Sequence, residues 1–441
     1  MINILRRLTP AYILRVYHRA LSWLASAIYG NPSNKLIVIG VTGTNGKTTT
    51  AYFTAKALEA SGHQTGSSST AIFKVGDKEW LNSTKMTMVG RFALQRLLRE
   101  MVNAGCRYAV IETSSQGVVQ HRHADINYDV MVFTNLTPEH IEAHGSFEKY
   151  KQAKIEAFRH TAKCPRKVFN GKTIPKIAIL NARDASSVAF ALPEFDKISW
   201  YGTDGTSGAD LIATEIKLEA ESVSFNVRGN KVLLHLPGLV NVENALAALL
   251  TCDALCVPLS RAVEALSEIQ NVPGRFERID EGQPWIVIVD YAPEPESLAR
   301  LYETLRLVPR NRTIHVLGSC GGGRDVSRRP ILGKMAGELA DIVIVTNEDP
   351  YDDDPRRIMD EVAAGAREAG KLLGRTLFVI EDRAEAINEA MRQAEAGDLV
   401  LLTGKGSEQA ICVENGKKIP WDEREVARKA IKGSWKLEAG I

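Results

Sequence analysis

Short apolar runs alternate with stretches of helical periodicity along the chain, and the runs fall into two groups. In the first, Leu36-Ile-Val-Ile-Gly40 is β-branched and ends in glycine. A turn and a helical pattern to about Ser61 follow, which predicts a strand, loop and helix in succession. Tyr108-Ala-Val-Ile-Glu112 and Val130-Met-Val-Phe-Thr134 repeat the strand pattern and end in polar residues. The second group comprises Trp285 to Asp290, Thr313 to Gly318, Asp341 to Thr346, Leu377 to Ile380 and Asp398 to Thr403, with helical stretches between them. Strands that alternate with helices predict parallel sheets covered on both faces, hence an α/β fold. Between the groups, 209–236 alternates in the strand manner, as in Ser222-Val-Ser-Phe-Asn-Val227, which predicts an antiparallel edge on the first sheet. The expected organisation is a short helical segment (1–34), a central domain (35–275) and a C-terminal domain (276–441), joined near Gly274 to Glu281. No internal repeat or low-complexity tract interrupts it.

The first thirty residues follow a different pattern. Arg6, Arg7, Arg15 and Arg19 are set among Ile2, Ile4, Leu5, Leu8, Ile13, Leu14 and Val16, and an apolar stretch follows from Leu21 to Tyr29. That stretch is far short of the ~20 residues a bilayer span needs. A basic front and an apolar middle also suit a signal peptide. However, Asn31-Pro-Ser-Asn-Lys35 runs straight into the first strand, so cleavage is not expected. The segment reads as one or two helices packed on the main body, with peripheral contact to anionic lipid or a lipid-linked substrate as the alternative.

The 441 residues are 44% hydrophobic and 24% charged, which excludes a disordered chain and a membrane bundle. Lys and Arg total 55 against 53 Asp and Glu, so no global field draws the chain to nucleic acid and any charged ligand needs a local site. The six cysteines are scattered, with no CxxC and no Cys/His cluster at zinc spacing. Cys252 and Cys256 read as buried core thiols, and the compartment as reducing and cytoplasmic.

In doubly wound sheets ligands sit beyond the carboxyl ends of the strands, which gives most weight to 43–49, 112–116 and 135–140. Gly43-Thr44-Asn45-Gly46-Lys47-Thr48-Thr49 joins the first strand to its helix. Backbone amides and a helix N-terminus can surround phosphate oxygens there, Lys47 can neutralise β/γ charge, and Thr48 can reach Mg²⁺ or phosphate. Val41 replaces the first glycine of the strict P-loop spacing. A glycine turn alone does not account for Lys-Thr-Thr at a helix start, so the loop is read as nucleotide-binding.

Thr-Gly-Thr-Asn-Gly-Lys-Thr-Thr resembles the phosphate loop of the Mur ligases and of their folylpolyglutamate and cyanophycin synthetase relatives, ATP-dependent enzymes that form amides. The resemblance continues in order over about 400 residues. It implies a P-loop doubly wound central ATPase domain followed by a Rossmann-like C-terminal domain that binds the amino acid. Glu112-Thr-Ser114-Ser115-Gln resembles Glu-x-Ser-Ser, whose carboxylate holds Mg²⁺ and whose serines approach the peptide substrate. Asn135-Leu-Thr-Pro-Glu-His140 resembles Asn-x-x-x-Asp-His, which implies His140 as a second metal ligand. Tyr150-Lys-Gln-Ala-Lys154 matches Tyr-x-x-Ala-Lys, whose lysine is carbamylated in many Mur ligases, and an anionic oxygen ligand suits hard Mg²⁺. Gly238-Leu-Val-Asn241-Val-Glu-Asn244-Ala matches the segment whose asparagines contact the adenine region. Pro273-Gly-Arg275-Phe-Glu and Asp290-Tyr-Ala imply an arginine on the ATP phosphates and a carboxylate on the ribose.

Within the family, the resemblance runs to the UDP-N-acetylmuramoyl-tripeptide synthetases, which add the third peptide residue. Gly318-Ser-Cys-Gly-Gly-Gly-Arg324-Asp and Gly404-Lys-Gly-Ser-Glu408 imply Arg324 on the incoming amino acid's carboxylate and Glu408 on its distal amine. Thr87 falls at a muropeptide contact, and Gln120-His-Arg122 resembles Gln-His-Arg, with Arg122 placed for a substrate carboxylate. The chain departs from that subgroup in four ways. About 34 residues precede the first strand where the subgroup carries a UDP-sugar-binding domain. The diaminopimelate signature Asp-Asn-Pro-Arg reads Glu348-Asp349-Pro350-Tyr351, which keeps Asp349 as a substrate-binding candidate and removes the bidentate fork for a second carboxylate. Pro293 and Ser407 replace two histidines.

The implied reaction is ATP-dependent, ADP-forming addition of an amino acid to a muropeptide carboxylate through an acyl phosphate. Lys47, Glu112, His140 and Lys154 are its catalytic set, and Thr48, Glu112, His140 and Lys154 would hold the metal. The expected form is a monomer. Alternative readings are a ligase of the superfamily with a non-murein or UDP-free acceptor, and a P-loop NTPase or nucleotide-binding scaffold.

Overall fold

The computed structural model describes residues 11–139, 141–203, 205 and 208–438. Two sheets dominate it. The larger has eleven strands and is built outward from Ile37–Thr42, which pairs in parallel with Tyr108–Glu112 on one side and Val130–Phe133 on the other. Beyond Val130–Phe133 lie the parallel strands Ile177–Asn181, Lys197–Thr203 and Leu211–Leu218, then the antiparallel Val223–Val227 and Asn230–Leu234. This is the antiparallel edge that the alternation predicts. Beyond Tyr108–Glu112 lie Thr65–Ser68 and the antiparallel strands Ile72–Val75 and Lys78–Leu81, which the apolar pattern does not reveal.

The central strands read as continuous apolar runs because both of their faces are buried. Ile37, Ile39 and Val41 face the helices Lys47–Glu59, Leu239–Ala254 and Leu259–Ser267, whose Phe53, Leu246 and Leu266 complete one core. Val38, Ile111 and Phe133 face the opposite core with Leu94, Leu98 and Phe158, from the helices Arg91–Asn103 and Phe147–Lys163. Side chains of successive strand residues point to opposite faces, which divides one run between two cores.

The second sheet has six strands, in the order Glu277–Arg278, Ile286–Val289, Leu399–Leu402, Thr313–Leu317, Ile342–Thr346, Leu377–Ile380. All pair in parallel except the first. The helices Pro295–Leu305, Arg328–Leu339 and Pro355–Glu368 cover one face, and Arg383–Gln393 and Glu423–Glu438 the other.

The amino-terminal helix, Ala11–Ile28, packs on Arg91–Asn103, and Arg99 donates from Nε to the Tyr29 carbonyl at 2.7 Å. Residues 1–10, where Arg6 and Arg7 stand, lie outside the described residues. Among the described residues, no helix is long and apolar enough to cross a membrane. One cysteine departs from expectation. Cys252 is buried, but Cys256 is exposed. It adopts a φ of 61° just after the helix Leu239–Ala254, and Val257 N closes that helix end on the Cys252 carbonyl at 2.9 Å. A residue in the left-handed conformation that ends a helix turns away from the face its predecessors bury.

Candidate active site

A cavity of about 370 Å³ lies between the two sheets, at the carboxyl ends of their strands. Its first wall is the phosphate loop, folded tightly by its own sequence. Gly43 adopts a φ of 150°, and a Cβ there would lie 1.9 Å from Thr134 Oγ1; at Gly46, with a φ of 79°, it would lie 2.3 Å from Asn244 Oδ1. Both positions require glycine. Asn135 Oδ1 accepts from the Asn45 amide at 2.8 Å and Asn135 Nδ2 donates to the Asn45 carbonyl at 3.1 Å, so this asparagine holds the loop itself. The helix Lys47–Glu59 starts with no side-chain cap, and its first turn faces the cavity through Lys47, Thr48 and Thr49. Free amides there suit an anion. Lys47 Nζ folds back onto the Thr44 carbonyl at 2.5 Å.

Glu112, at the end of its strand, is buried in the same wall. It accepts from Thr48 Oγ1 at 3.0 Å, from the Thr70 amide at 2.7 Å and from Thr70 Oγ1 at 3.1 Å. Thr70 in turn bonds Thr87 Oγ1 at 2.9 Å. A buried carboxylate beside a threonine hydroxyl at a phosphate loop is a hard oxygen donor set, which fits Mg²⁺. Thr70 is absent from the sequence reading because the strand that leads to it, Thr65–Ser68, carries too few apolar residues to register.

Lys154 projects from the helix Phe147–Lys163, is almost wholly buried, and donates to the Gly43 carbonyl at 2.5 Å. Its ammonium stands 4.3 Å from the centre of the Tyr150 ring, and Tyr150 OH bonds Thr44 Oγ1 at 3.1 Å. Burial, with the like charge of Lys47 added, holds the Lys154 amine well below the ordinary lysine range. The second metal ligand implied by the sequence, His140, lies outside the described residues. Close by, His144 Nε2 is 3.1 Å from Ser115 Oγ and 3.3 Å from Gln116 Nε2, which joins the motif at 112–116 to a residue outside every predicted motif. Ser114 caps the short helix Ser115–Val119 by accepting from the Gly117 amide at 3.1 Å.

Asn244 Oδ1 accepts from Thr50 Oγ1 at 3.1 Å, Asn244 Nδ2 donates to Asn241 Oδ1 at 3.2 Å, and both asparagines line the cavity. Arg275, at the join of the sheets, donates to Thr48 Oγ1 at 3.1 Å and stacks 4.7 Å over the Tyr291 ring. It thereby ties the second half of the chain to the phosphate loop. Asp290 accepts from the Phe276 amide at 2.7 Å and the Ala292 amide at 3.0 Å, and burial raises its pKa. Its carboxylate organises the join as well as lining the cavity.

The opposite wall belongs to the second sheet. Arg324 and Arg328 line it, and Arg328 pairs with Glu294 at the start of the helix Pro295–Leu305. Arg122, bonded to Gln120 Oε1 and the Met88 carbonyl, lines the first-sheet side with Thr87. Asp349 and Glu408, both expected to meet substrate, are engaged by the chain itself. Lys405 Nζ lies 3.0 Å from each carboxylate, and Lys85 Nζ lies 2.5 Å from Asp349 Oδ2 and also pairs with Glu408. Lys85 comes from the first-sheet half, is 4% exposed at its side chain, and holds a φ of 60°. The sequence reading misses it, because 264 residues separate it from Asp349.

Comparison with known proteins agrees with this geometry. A family model described as the Mur ligase middle domain matches residues 41–252, and one described as the Mur ligase, glutamate ligase domain matches 274–406. The chain is 41% identical to a UDP-N-acetylmuramyl-tripeptide synthetase from Roseiflexus sp., over 96% of this chain and 84% of that protein. It is 37% identical, with the same coverage, to a UDP-N-acetylmuramoyl-L-alanyl-D-glutamate–2,6-diaminopimelate ligase from Geobacillus kaustophilus. A solved structure of a ligase of that second kind superposes with a TM-score of 0.57 at 29% identity, covering 90% of this chain and 78% of that one.

Proposed function

Because the chain belongs to the Mur ligase family of ATP-dependent enzymes that form C–N bonds, we propose that it adds an amino acid to the carboxylate of a muropeptide in peptidoglycan precursor synthesis. The observation that carries this reading is the single cavity lined by Lys47, Glu112 and Lys154 from one half and by Arg275 and Arg324 from the other. An acceptor carboxylate, the γ-phosphate of ATP and an amino acid can meet only at such a join. Free cysteines and a nucleotide substrate support a reaction in the cytoplasm.

The chemistry divides into two steps. An oxygen of the acceptor carboxylate attacks the γ-phosphorus, the bond to ADP breaks, and an acyl phosphate forms. Lys47 and the amides of the first helical turn stabilise the charge that spreads over the transferred oxygens. The free amine of the amino acid then attacks the acyl carbon and loses a proton as inorganic phosphate departs, which leaves an amide. Arg324 holds the amino acid's carboxylate, and closure of the two halves keeps water from the acyl phosphate. Mg²⁺, when bound, neutralises phosphate charge; Thr48, Glu112 and His140 would hold it. Lys154 enters the same set as a carbamate. Its burial beside Lys47 favours the neutral amine, the form that attacks CO₂ with loss of a proton, and the product is anionic.

Tyr351 offers no fork for the second carboxylate of diaminopimelate, which favours an amino acid with a single carboxylate. The test is phosphate release from ATP with UDP-N-acetylmuramoyl-L-Ala-D-Glu against a panel of amino acids, with mass spectrometry of the products. A product heavier by one residue establishes the activity and the amino acid. ATP binding with no product for any amino acid would overturn the UDP-linked acceptor in favour of a UDP-free or non-murein carboxylate.

A further inference from the structure

The amino-terminal helix, Ala11–Ile28, carries its amphipathicity inverted. The residues it buries fully are small, Ser22, Ala25 and Ser26, with Leu14 and Leu21 half-buried beside them. Ser26 Oγ bonds Asn31 Oδ1 at 3.1 Å and the Asp125 carbonyl at 3.3 Å. Its large apolar residues face outward: Val16 is 67% exposed, Trp23 63% and Ile28 61%, with Ile13, Tyr17 and Leu24 also exposed. These six fall at helical spacings of three, four and seven, so they form one continuous stripe along about 25 Å of helix. Six large apolar side chains in one contiguous exposed patch mark an interaction surface rather than the scattered apolar residues of an ordinary exterior.

Charge identifies the occupant. The first 35 residues hold Arg6, Arg7, Arg15, Arg19 and Lys35 and no Asp or Glu, and the first carboxylate along the chain is Glu59. The rest of the chain carries more acids than bases, since the totals are 53 and 55. Arg19 is exposed, and 100° of turn per residue places it at the rim of the apolar stripe. An apolar face edged by cations, with a tryptophan and a tyrosine at its surface, is complementary to an anionic lipid interface. A second copy of the chain would instead bring two such cationic segments together. The helix is not apolar enough to span a membrane, so the contact is with the surface.

We propose that Ala11–Ile28 seats this ligase on an anionic lipid surface through Val16, Trp23 and Ile28. The test is flotation of the full-length protein with vesicles of equal parts phosphatidylcholine and phosphatidylglycerol, against vesicles of phosphatidylcholine alone. Co-flotation is expected with the anionic vesicles at about 0.1 M salt, falling about tenfold at ~1 M salt or without phosphatidylglycerol. The double variant Trp23→Glu with Ile28→Glu should also lose about tenfold in bound fraction while its affinity for ATP is unchanged, because neither residue lines the cleft. The salt and lipid dependence of the wild-type protein stands as a test even if that variant fails to fold. Absence of flotation at low salt, or equal flotation on both vesicle types, overturns the proposal. So does a concentration-dependent dimer that the double variant dissolves, since a second copy would then cover the stripe.

Discussion

The two walls of the cleft hold charge by different means. The phosphate wall is assembled from backbone and short side chains of the first-sheet half: glycines at 43 and 46, a helix start, and hydroxyls of Thr48 and Thr70 around Glu112. The opposite wall is backed by long side chains that converge from distant segments, with Lys85 lining the cavity and paired with Asp349 and Glu408, which Lys405 also binds. The first wall leaves a cation and free amides for a ligand. The second has already matched its carboxylates with cations of the chain. The phosphate site is therefore prepared within one half of the molecule, whereas the charge balance of the opposite wall depends on how the two halves meet.

The largest effect is expected on the phosphate wall. Lys47→Ala should lower kcat about a thousandfold, because it removes the one cation of the loop placed to follow charge onto the transferred phosphoryl group. Single-turnover formation of ADP in the presence of acceptor checks this. A loss confined to KM would mean that Lys47 binds ATP without acting in the transfer.

Lys154→Ala should cost about a hundredfold, less than Lys47→Ala, and the loss should be partly restored by a short-chain carboxylate added to the assay. Rescue by a carboxylate but not by a small amine separates the carbamate from a plain ammonium. Unchanged activity in the variant would exclude the carbamate. The unmodified lysine already argues for this chemistry, since its burial and the like charge of Lys47 outweigh the carboxylates of Glu139 and Glu112 and lower its pKa.

The same contrast explains what the sequence discloses. The phosphate loop, Glu112, Lys154, Arg275 and both sheets are legible, because each depends on a short motif or on apolar runs whose meaning is local. Strands such as Thr65–Ser68 and Lys78–Leu81 are not, because the first is buried but polar, the second is the exposed edge of the sheet, and neither carries an apolar run. Asp290 shows the limit in another way. Its motif marks it for a ribose, yet its oxygens first satisfy the amides of Phe276 and Ala292, which bury it at the join. Lys85 is beyond sequence reading altogether, because nothing in Ser83-Thr-Lys-Met announces a partner in the other half of the chain.

On the opposite wall, Lys85→Ala should destabilise the protein by about 3 kcal/mol, because two buried carboxylates are left with Lys405 alone. It should also raise kcat/KM for lysine relative to alanine about tenfold, as the vacated negative charge accepts a substrate ammonium. Thermal unfolding and a two-substrate competition measure the two parts. A falling preference for lysine would show that Lys85 positions the substrate instead of standing in its place.

The smallest effect concerns pH. Burial alone would raise the Asp349 pKa, but Lys405 and Lys85 outweigh it and hold this carboxyl below its ordinary value of ~3.9. A carboxyl whose pKa is depressed on folding contributes stability that is present above the unfolded value and is lost as pH falls through the folded one. The interdomain pair with Lys85 should therefore keep its full strength at neutral pH and weaken only in acid below about pH 4. The difference in melting temperature between the wild-type protein and Lys85→Ala should be constant from neutrality down to that point and then narrow. A difference that begins to close near neutral pH would assign the coupling to a histidine or to a carboxyl with a raised pKa. Asp349 would then lose its place as the group that senses Lys85.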